Sequence, residues 1–388
     1  MATYEQTHPW LTFSANFSNA PPLLWIILGE CQSKCDHIAR TPLRPDTSKR
    51  LFQVYLAKGA LASSAIEGNT LTEQQVLDHL EGRLELPPSQ KYLQQEVDNI
   101  IRVCNEIMDK ISNGRGMQLD SGRIKEINAR VLEGLSLPEH VTPGEIRDYA
   151  VGVGSYRGAP AEDYALLLDR LCEWLEGDSF KPKPGLEIAT AILKAVVGHL
   201  YMAWIHPFGD GNGRTARLIE LQVLLASRVP APAAQLLSNH YNQTRSEYYR
   251  QLASSSGGDI MPFVMYAVQG FLDGLKSQLD VIWEQEWDIV LRNYVHELLG
   301  KESGHTATRR RHLALDLSRK KGPIPITEIP LISPRISQAY ANKTEKTLTR
   351  DLRVLIDKGV IEKTAQGYRV RKEIVGSFLP PRAAVNGA

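Results

Sequence analysis

Cysteine is scarce in this chain of 388 residues, with only Cys31, Cys35, Cys104 and Cys172 present. No second pair repeats the Cys31/Cys35 spacing, which argues against a disulfide framework and against a zinc site. Net charge is almost absent, at +1. Long apolar runs are also missing, and no stretch approaches the ~20 residues that cross a bilayer, so no membrane association is expected. Met1 to Asn16 lacks a basic start followed by an apolar core, so no signal peptide is expected. These absences point to a cytoplasmic protein with reduced thiols. Sustained strand alternation is lacking as well, which leaves a mainly α fold.

Helical patterns fill most of the chain. Residues 1–45, with their Pro, Trp and Gly clusters, read as a wrapping segment. A long helix is predicted from Asp46 to about Glu67, with Leu51, Tyr55, Leu56, Ala60 and Ile66 among its apolar positions. Gly68-Asn69 supplies the stop signal. Helices are predicted at 73–82, 90–112, 120–134, 162–177, 186–203, 213–227 and 245–252, with one or two more over 260–299. Trp283 and Trp287, four apart, read as a packing face. Gly144–Pro160 differs: Val151 and Val153 alternate among glycines, a hairpin signal inside a helical protein. The expected divisions are a helical region over 1–112, a core over 113–299 and a small domain over 300–388.

The segment His206-Pro207-Phe208-Gly209-Asp210-Gly211-Asn212-Gly213-Arg214-Thr215-Ala216-Arg217 concentrates chemistry between two helices. Its glycines let the backbone approach a ligand closely. Main-chain N–H groups followed by a helix N-terminus make an anion site. Arg214 and Arg217, three apart, share a helix face. Their charges oppose the helix dipole, a conflict that a bound polyanion would remove. Asp210 is a hard oxygen ligand suited to Mg²⁺ beside phosphate. His206 is a candidate general base with a pKa near neutral. His199, seven positions earlier, reads as a core histidine.

This string resembles the Fic signature HPFx[DE]GNGRxxR at every defined position. The resemblance implies a mainly α Fic core with a β-hairpin flap over the site. It implies a protein adenylyltransferase that moves AMP from ATP to a Ser, Thr or Tyr hydroxyl of a target protein and releases pyrophosphate. His206 would deprotonate that hydroxyl. Asp210 would hold Mg²⁺ or Mn²⁺ against the phosphates. Gly211, Asn212 and Gly213 would form the anion hole, Thr215 and Ala216 would follow on the same turn, and Arg214 and Arg217 would take the β- and γ-phosphates. His206, Asn212 and Arg214 form the catalytic set. Kinases of the same fold carry Lys at the position of Gly211, so glycine here favours AMP transfer. The motif by itself also admits UMP or phosphocholine transfer. Val153, Gly154, Ser155 and Tyr156 would line the groove for nucleotide and target. Tyr248 and Tyr249, with Leu252 behind them, resemble the YYxxL segment near the adenine, although helix packing accounts for the pair equally well. Ser256 stands where many relatives have Asn.

Ser63-Ser64-Ala65-Ile66-Glu67-Gly68 resembles the Fic inhibitory pattern [ST]xxxE[GN]. The resemblance implies that Glu67 pairs with Arg217, with Ser63 and Gly68 completing the motif, and so denies the γ-phosphate its partner. In some relatives the same glutamate supports AMP removal, which leaves de-AMPylation and self-modification open. A homodimer is expected.

From Lys301 onward the chain holds 18 Lys and Arg against 8 Asp and Glu, and the remainder holds 27 against 36. This basic tail reads as helix, short helix, longer helix and two short strands around Gln366-Gly367, the order of a winged helix-turn-helix. It resembles the winged-helix modules appended to bacterial Fic proteins. Leu348, Leu352, Leu355 and Ile356 form its apolar face. Lys343, Lys346, Arg350 and Arg353 form a basic one, diluted by Asp351 and Asp357. DNA binding through 301–388 and protein docking both remain open. The alternative to an enzyme is a nucleotide-sensing, DNA-binding transcriptional regulator.

Overall fold

A computed structural model describes residues 2–43, 45–114, 118–150, 152–153, 156–300, 304–320 and 322–371. These residues form two compact units, Met1–Leu279 and Asp280–Ala388. Helices from the expected 1–112 region and from the expected core pack together within the first unit.

Two helices build the centre of that unit. Glu187–Ile205 enters the motif and Asn212–Ala226 leaves it, and they pack along each other. The incoming helix is apolar on nearly every side, from Ile188 to Ile205, as expected of a helix surrounded by protein. It is long and apolar enough to cross a membrane, which the reading of the sequence overlooked, but 83% of its most apolar window is buried inside the protein. Lys91–Ser112 and Ser121–Val131 flank the outgoing helix. Pro22–Arg40 and Tyr164–Glu176 flank the incoming one.

Residues 1–45 correct the expected wrapping segment, because Pro22–Arg40 is a helix of 19 residues. Its proline sits in the first turn, where the missing N–H costs nothing. Leu24, Ile27, Leu28, Cys31, Cys35 and Ile38 form the buried stripe. Cys31 and Cys35 are therefore helix-packing residues, and burial pushes the Cys31 thiol up to about 12. The thiols of all four cysteines are free and buried.

Helix Pro45–Ile66 packs against Lys91–Ser112, Leu236–Gln243 and the outgoing helix. It stops where Gly68 takes a positive φ of 108° and the Asn69 N–H returns to the Ser64 carbonyl at 3.1 Å. The next helix, Glu73–Leu80, starts with a reciprocal capping box between Thr72 and Gln75. The expected hairpin pairs Gly152–Val153 with Tyr156–Arg157, in the register Gly152↔Arg157 and Val153↔Tyr156. Gly154 and Ser155 lie outside the described residues.

Helix Met261–Gly300 is continuous. Trp283 corrects the expected packing face: it is 52% exposed, and the helix is buried instead at Ile282, Leu291, Val295 and Leu299. The last three join the core of the second unit with Leu313, Leu317, Leu348, Leu352 and Leu355. That core lies among helices His305–Ser318, Pro334–Tyr340 and Glu345–Asp357 and the hairpin Ile361–Thr364/Gly367–Val370. Asp351 does not dilute the basic face. It is fully buried and accepts hydrogen bonds from Arg309 Nε (2.7 Å), Arg310 Nε (2.9 Å) and the Tyr340 hydroxyl (3.0 Å).

Candidate active site

The motif folds as a tight loop between two buried helices. The incoming helix ends on His206, whose backbone is left-handed (φ 51°, ψ 55°). A side chain other than glycine pays on the order of 1 kcal/mol or more for that conformation. The loop is held by its own polar atoms. Asn212 donates from Nδ2 to the Phe208 carbonyl (2.8 Å) and accepts at Oδ1 from the Phe208 N–H (2.9 Å). Asn212 is thus committed to loop closure, while it also lines the cavity described below. Asn128, which the sequence reading did not single out, donates to the Asp210 carbonyl (2.9 Å) and to the Thr215 hydroxyl (3.2 Å). Thr215 is fully buried and serves the loop from behind. Gly211 needs its φ of 76°, and a Cβ there would meet Asn128 Nδ2 at 2.9 Å.

The segment before the hairpin supports the loop from the other side. The Arg147 N–H donates to the Pro207 carbonyl at 3.0 Å, and Ile146 bridges to Phe208. Arg147 Nη2 donates to the His206 carbonyl (2.6 Å) and to the Tyr164 hydroxyl (2.8 Å). Tyr156 donates its hydroxyl to the Trp204 carbonyl at 2.8 Å.

Above the loop is a cavity of about 480 Å³, within the range of small-ligand sites. His206, Gly213, Ala216 and Arg217 form its floor, with Glu67 beside them and Tyr156, Tyr248, Tyr249 and Ser256 around its walls. Tyr248 is buried with its hydroxyl on His199 Nε2 (2.8 Å), so packing accounts for it; Tyr249 is 45% exposed. The Ser256 hydroxyl donates to the Leu252 carbonyl at 3.2 Å. His199 is fully buried, as a core histidine would be. Asp210, Gly211 and Arg214 are not among the lining residues, and the side chain of Val153 lies outside what the structure describes. Arg214 Nη2 instead pairs with Asp210 Oδ1 at 2.9 Å.

Glu67 and Arg217, 150 positions apart, meet. Arg217 Nη2 donates to Glu67 Oε1 at 2.8 Å and to the Ser63 carbonyl at 2.8 Å, and Arg217 Nε donates to the Ser63 hydroxyl at 3.0 Å. The Arg217 side chain is 1% exposed and that of Glu67 35%. Burial pushes the Glu67 carboxyl up, but the Arg217 guanidinium outweighs it and holds the group below its ordinary range. Arg217 Nη1 is buried without a hydrogen-bond partner, a donor left over for a ligand. Gly68 caps the same turn from outside the cavity.

His206 does not have the near-neutral pKa expected from its type. Burial and then the positive charge of Arg147 push it down to about 4, against smaller upward pulls from the Ala203 carbonyl, Glu67 and Asp210. At neutral pH the imidazole is therefore unprotonated and able to accept a proton.

Residues 118–224 match the Fic/DOC family. The chain contains a Fic/DOC domain, and His206 to Arg217 lie inside it. Protein adenylyltransferase fic-1 of Caenorhabditis briggsae is 29% identical over 220 residues, which cover 55% of this chain and 40% of that protein. Protein adenylyltransferase Fic of Drosophila grimshawi is 30% identical over 237 residues, covering 59% and 43%. The chain thus spans less than half the length of these relatives. A Fic family protein from Desulfovibrio desulfuricans G20 superposes with a TM-score of 0.56 at 21% identity, over 92% of this chain and 98% of that one. Fic-1 from C. elegans gives 0.52 at 23% identity, over 66% and 72%. The fold is the mainly α Fic fold.

Proposed function

We propose that this protein transfers AMP from ATP to a Ser, Thr or Tyr hydroxyl of a target protein, and that Glu67 restrains it. The observation that carries this reading is the shared cavity, which His206, Asn212, Gly213 and Arg217 face together. The names of the relatives support the same reaction class.

In this scheme the triphosphate lies over Gly211 to Arg217, at the start of the outgoing helix. His206 takes the proton of the target hydroxyl as its oxygen bonds to the α-phosphorus. The bond from that phosphorus to the bridging oxygen breaks, and pyrophosphate leaves. Arg217 neutralises charge at the distal phosphate, so its capture by Glu67 misplaces the chain of phosphates behind it. The described residues hold no cluster of His, Cys, Asp or Glu that could bind a metal alone. Mg²⁺ commonly uses one carboxylate plus substrate phosphates, and Asp210, with its side chain 44% exposed, fits that habit. A bound divalent ion would supply charge neutralisation at the phosphates.

Labelling with α-³²P-ATP by wild type and Glu67→Gly tests the reading. AMP appearing on protein, and more of it with the variant, is the expected result. ATP binding with no protein label from either form would remove the proposed activity.

The second reading concerns the tail. Lys343, Lys346, Arg350 and Arg353 are all exposed, and with Asp351 buried their face is more basic than the sequence suggests. We infer that this face contacts DNA. A gel shift with the full chain tests it, and no shift at low salt would leave protein docking.

A further inference from the structure

Arg147 is 6% exposed, yet among the described residues it has no carboxylate partner. Its Nε and Nη1 are buried without hydrogen-bond partners, and only Nη2 is used. The rings of Tyr164 and Tyr149 lie 4.9 and 5.7 Å from its guanidinium carbon. A buried, unpaired cation is a poor device for stability alone, because leaving a charge uncompensated is costly. What it does hold is the one carbonyl that ends the incoming helix in a left-handed turn, that of His206.

We propose that Arg147 is a positioning residue for His206: it clamps the His206 carbonyl, keeps the backbone in its left-handed turn and so aims the imidazole into the cavity. Its charge also faces the ring. The other charged groups facing His206 are Glu67, from the end of helix Pro45–Ile66, and Asp210, from the loop; both carboxylates pull toward the protonated ring, and Arg147 opposes them. The one cation thereby serves geometry and protonation state together. The proposal rests on the reading of His206 as the base.

The test uses the full chain in the Glu67→Gly background, with Arg147→Met and Arg147→Lys. Three quantities are read: the rate of AMP transfer, ATP affinity, and the pH at which His206 titrates by NMR of ¹³C-labelled histidine. Arg147→Met should slow transfer by about 100-fold, the scale of a general base's contribution. It should leave ATP affinity within about threefold, and His206 should titrate closer to its ordinary 6.5. Arg147→Lys keeps the charge and one donor, so its titration should stay low and about tenfold of the rate should return. Equal losses of rate and ATP affinity in both variants would make Arg147 merely structural and overturn the proposal. An unmoved titration in Arg147→Met would overturn it equally. If Glu67→Gly transfers no AMP, the adenylyltransfer reading fails, and the titration still decides the role of Arg147.

Discussion

In the proposed scheme the base, His206, and the nucleotide cradle are separate groups, so they should separate under mutation. His206→Ala should cut AMP transfer by roughly 10²–10⁴-fold, the range for losing a general base. ATP affinity should barely change, because the scheme leaves the phosphates to glycine N–H groups and arginines. Isothermal titration beside a transfer assay distinguishes this from collapse of the site, in which both would fall. Glu67→Gly should raise transfer by freeing Arg217. Arg217→Ala should not mimic it, since the phosphate partner goes with the brake. The double variant should resemble Arg217→Ala, a non-additive outcome expected of residues in contact. A double variant as active as Glu67→Gly would refute the role given to Arg217.

The helix that leads to Glu67, the proposed brake, is gripped at its end. Arg245 Nη1 donates to the Ala65 carbonyl (3.1 Å) and the Tyr249 hydroxyl to the Ile66 carbonyl (3.2 Å). These carbonyls end helix Pro45–Ile66, where the negative end of the helix dipole favours a cation, and that of Ala65 also accepts from the Gly68 N–H at 3.0 Å. Arg245→Ala should therefore loosen Glu67 and raise basal transfer several-fold, and it should add nothing in Glu67→Gly. A similar rise in both backgrounds would place Arg245 outside the restraint. The stop at Gly68, the hairpin and the outgoing helix at Asn212 were legible in the sequence, since each rests on local chemistry: a glycine, an alternation, a loop. Pro22–Arg40 was missed because Pro, Trp and Gly nearby masked a stripe that only tertiary packing makes visible. Asn128 and Arg147 were missed for another reason. Each acts through main-chain carbonyls more than 50 positions away, and no spacing records that. The buried state of Asp351 was equally illegible, because its partners Arg309 and Arg310 lie on another helix.

For the molecule as a whole, acid should be the damaging direction. Folded His206 titrates at about 4 and the unfolded side chain near 6.5. Between those values the unfolded chain binds more protons, so stability rises with pH across the window and is lost as pH falls through it. Glu67 works the same way: its folded carboxyl is held low, and its contribution disappears as pH drops through that lowered value. Thermal melts from pH 7 to pH 4 should show a falling midpoint, with a shallower fall in His206→Gln. Equal slopes would mean that His206 is not buried in its neutral form. The basic unit makes a separate prediction about salt. If four cations meet phosphates, the log of DNA affinity should fall with log salt at a slope of roughly −3 to −4. Lys346→Glu with Arg350→Glu should weaken binding and cut that slope to roughly −2, and DNA binding that ignores salt would exclude this face.

Gly213 has no side chain, and the room this leaves is occupied by the Glu67 carboxylate and, at 3.1 Å from where a Cβ would stand, Arg217 Nη1. A methyl group there would displace the carboxylate and crowd the Arg217 guanidinium in the same stroke. Positions 67, 213 and 217 are therefore not free to drift one at a time. A side chain at 213 would part Glu67 from its place beside Arg217 as surely as loss of the glutamate itself. Two distant stretches of chain can meet here only because a third leaves a gap the size of one methyl.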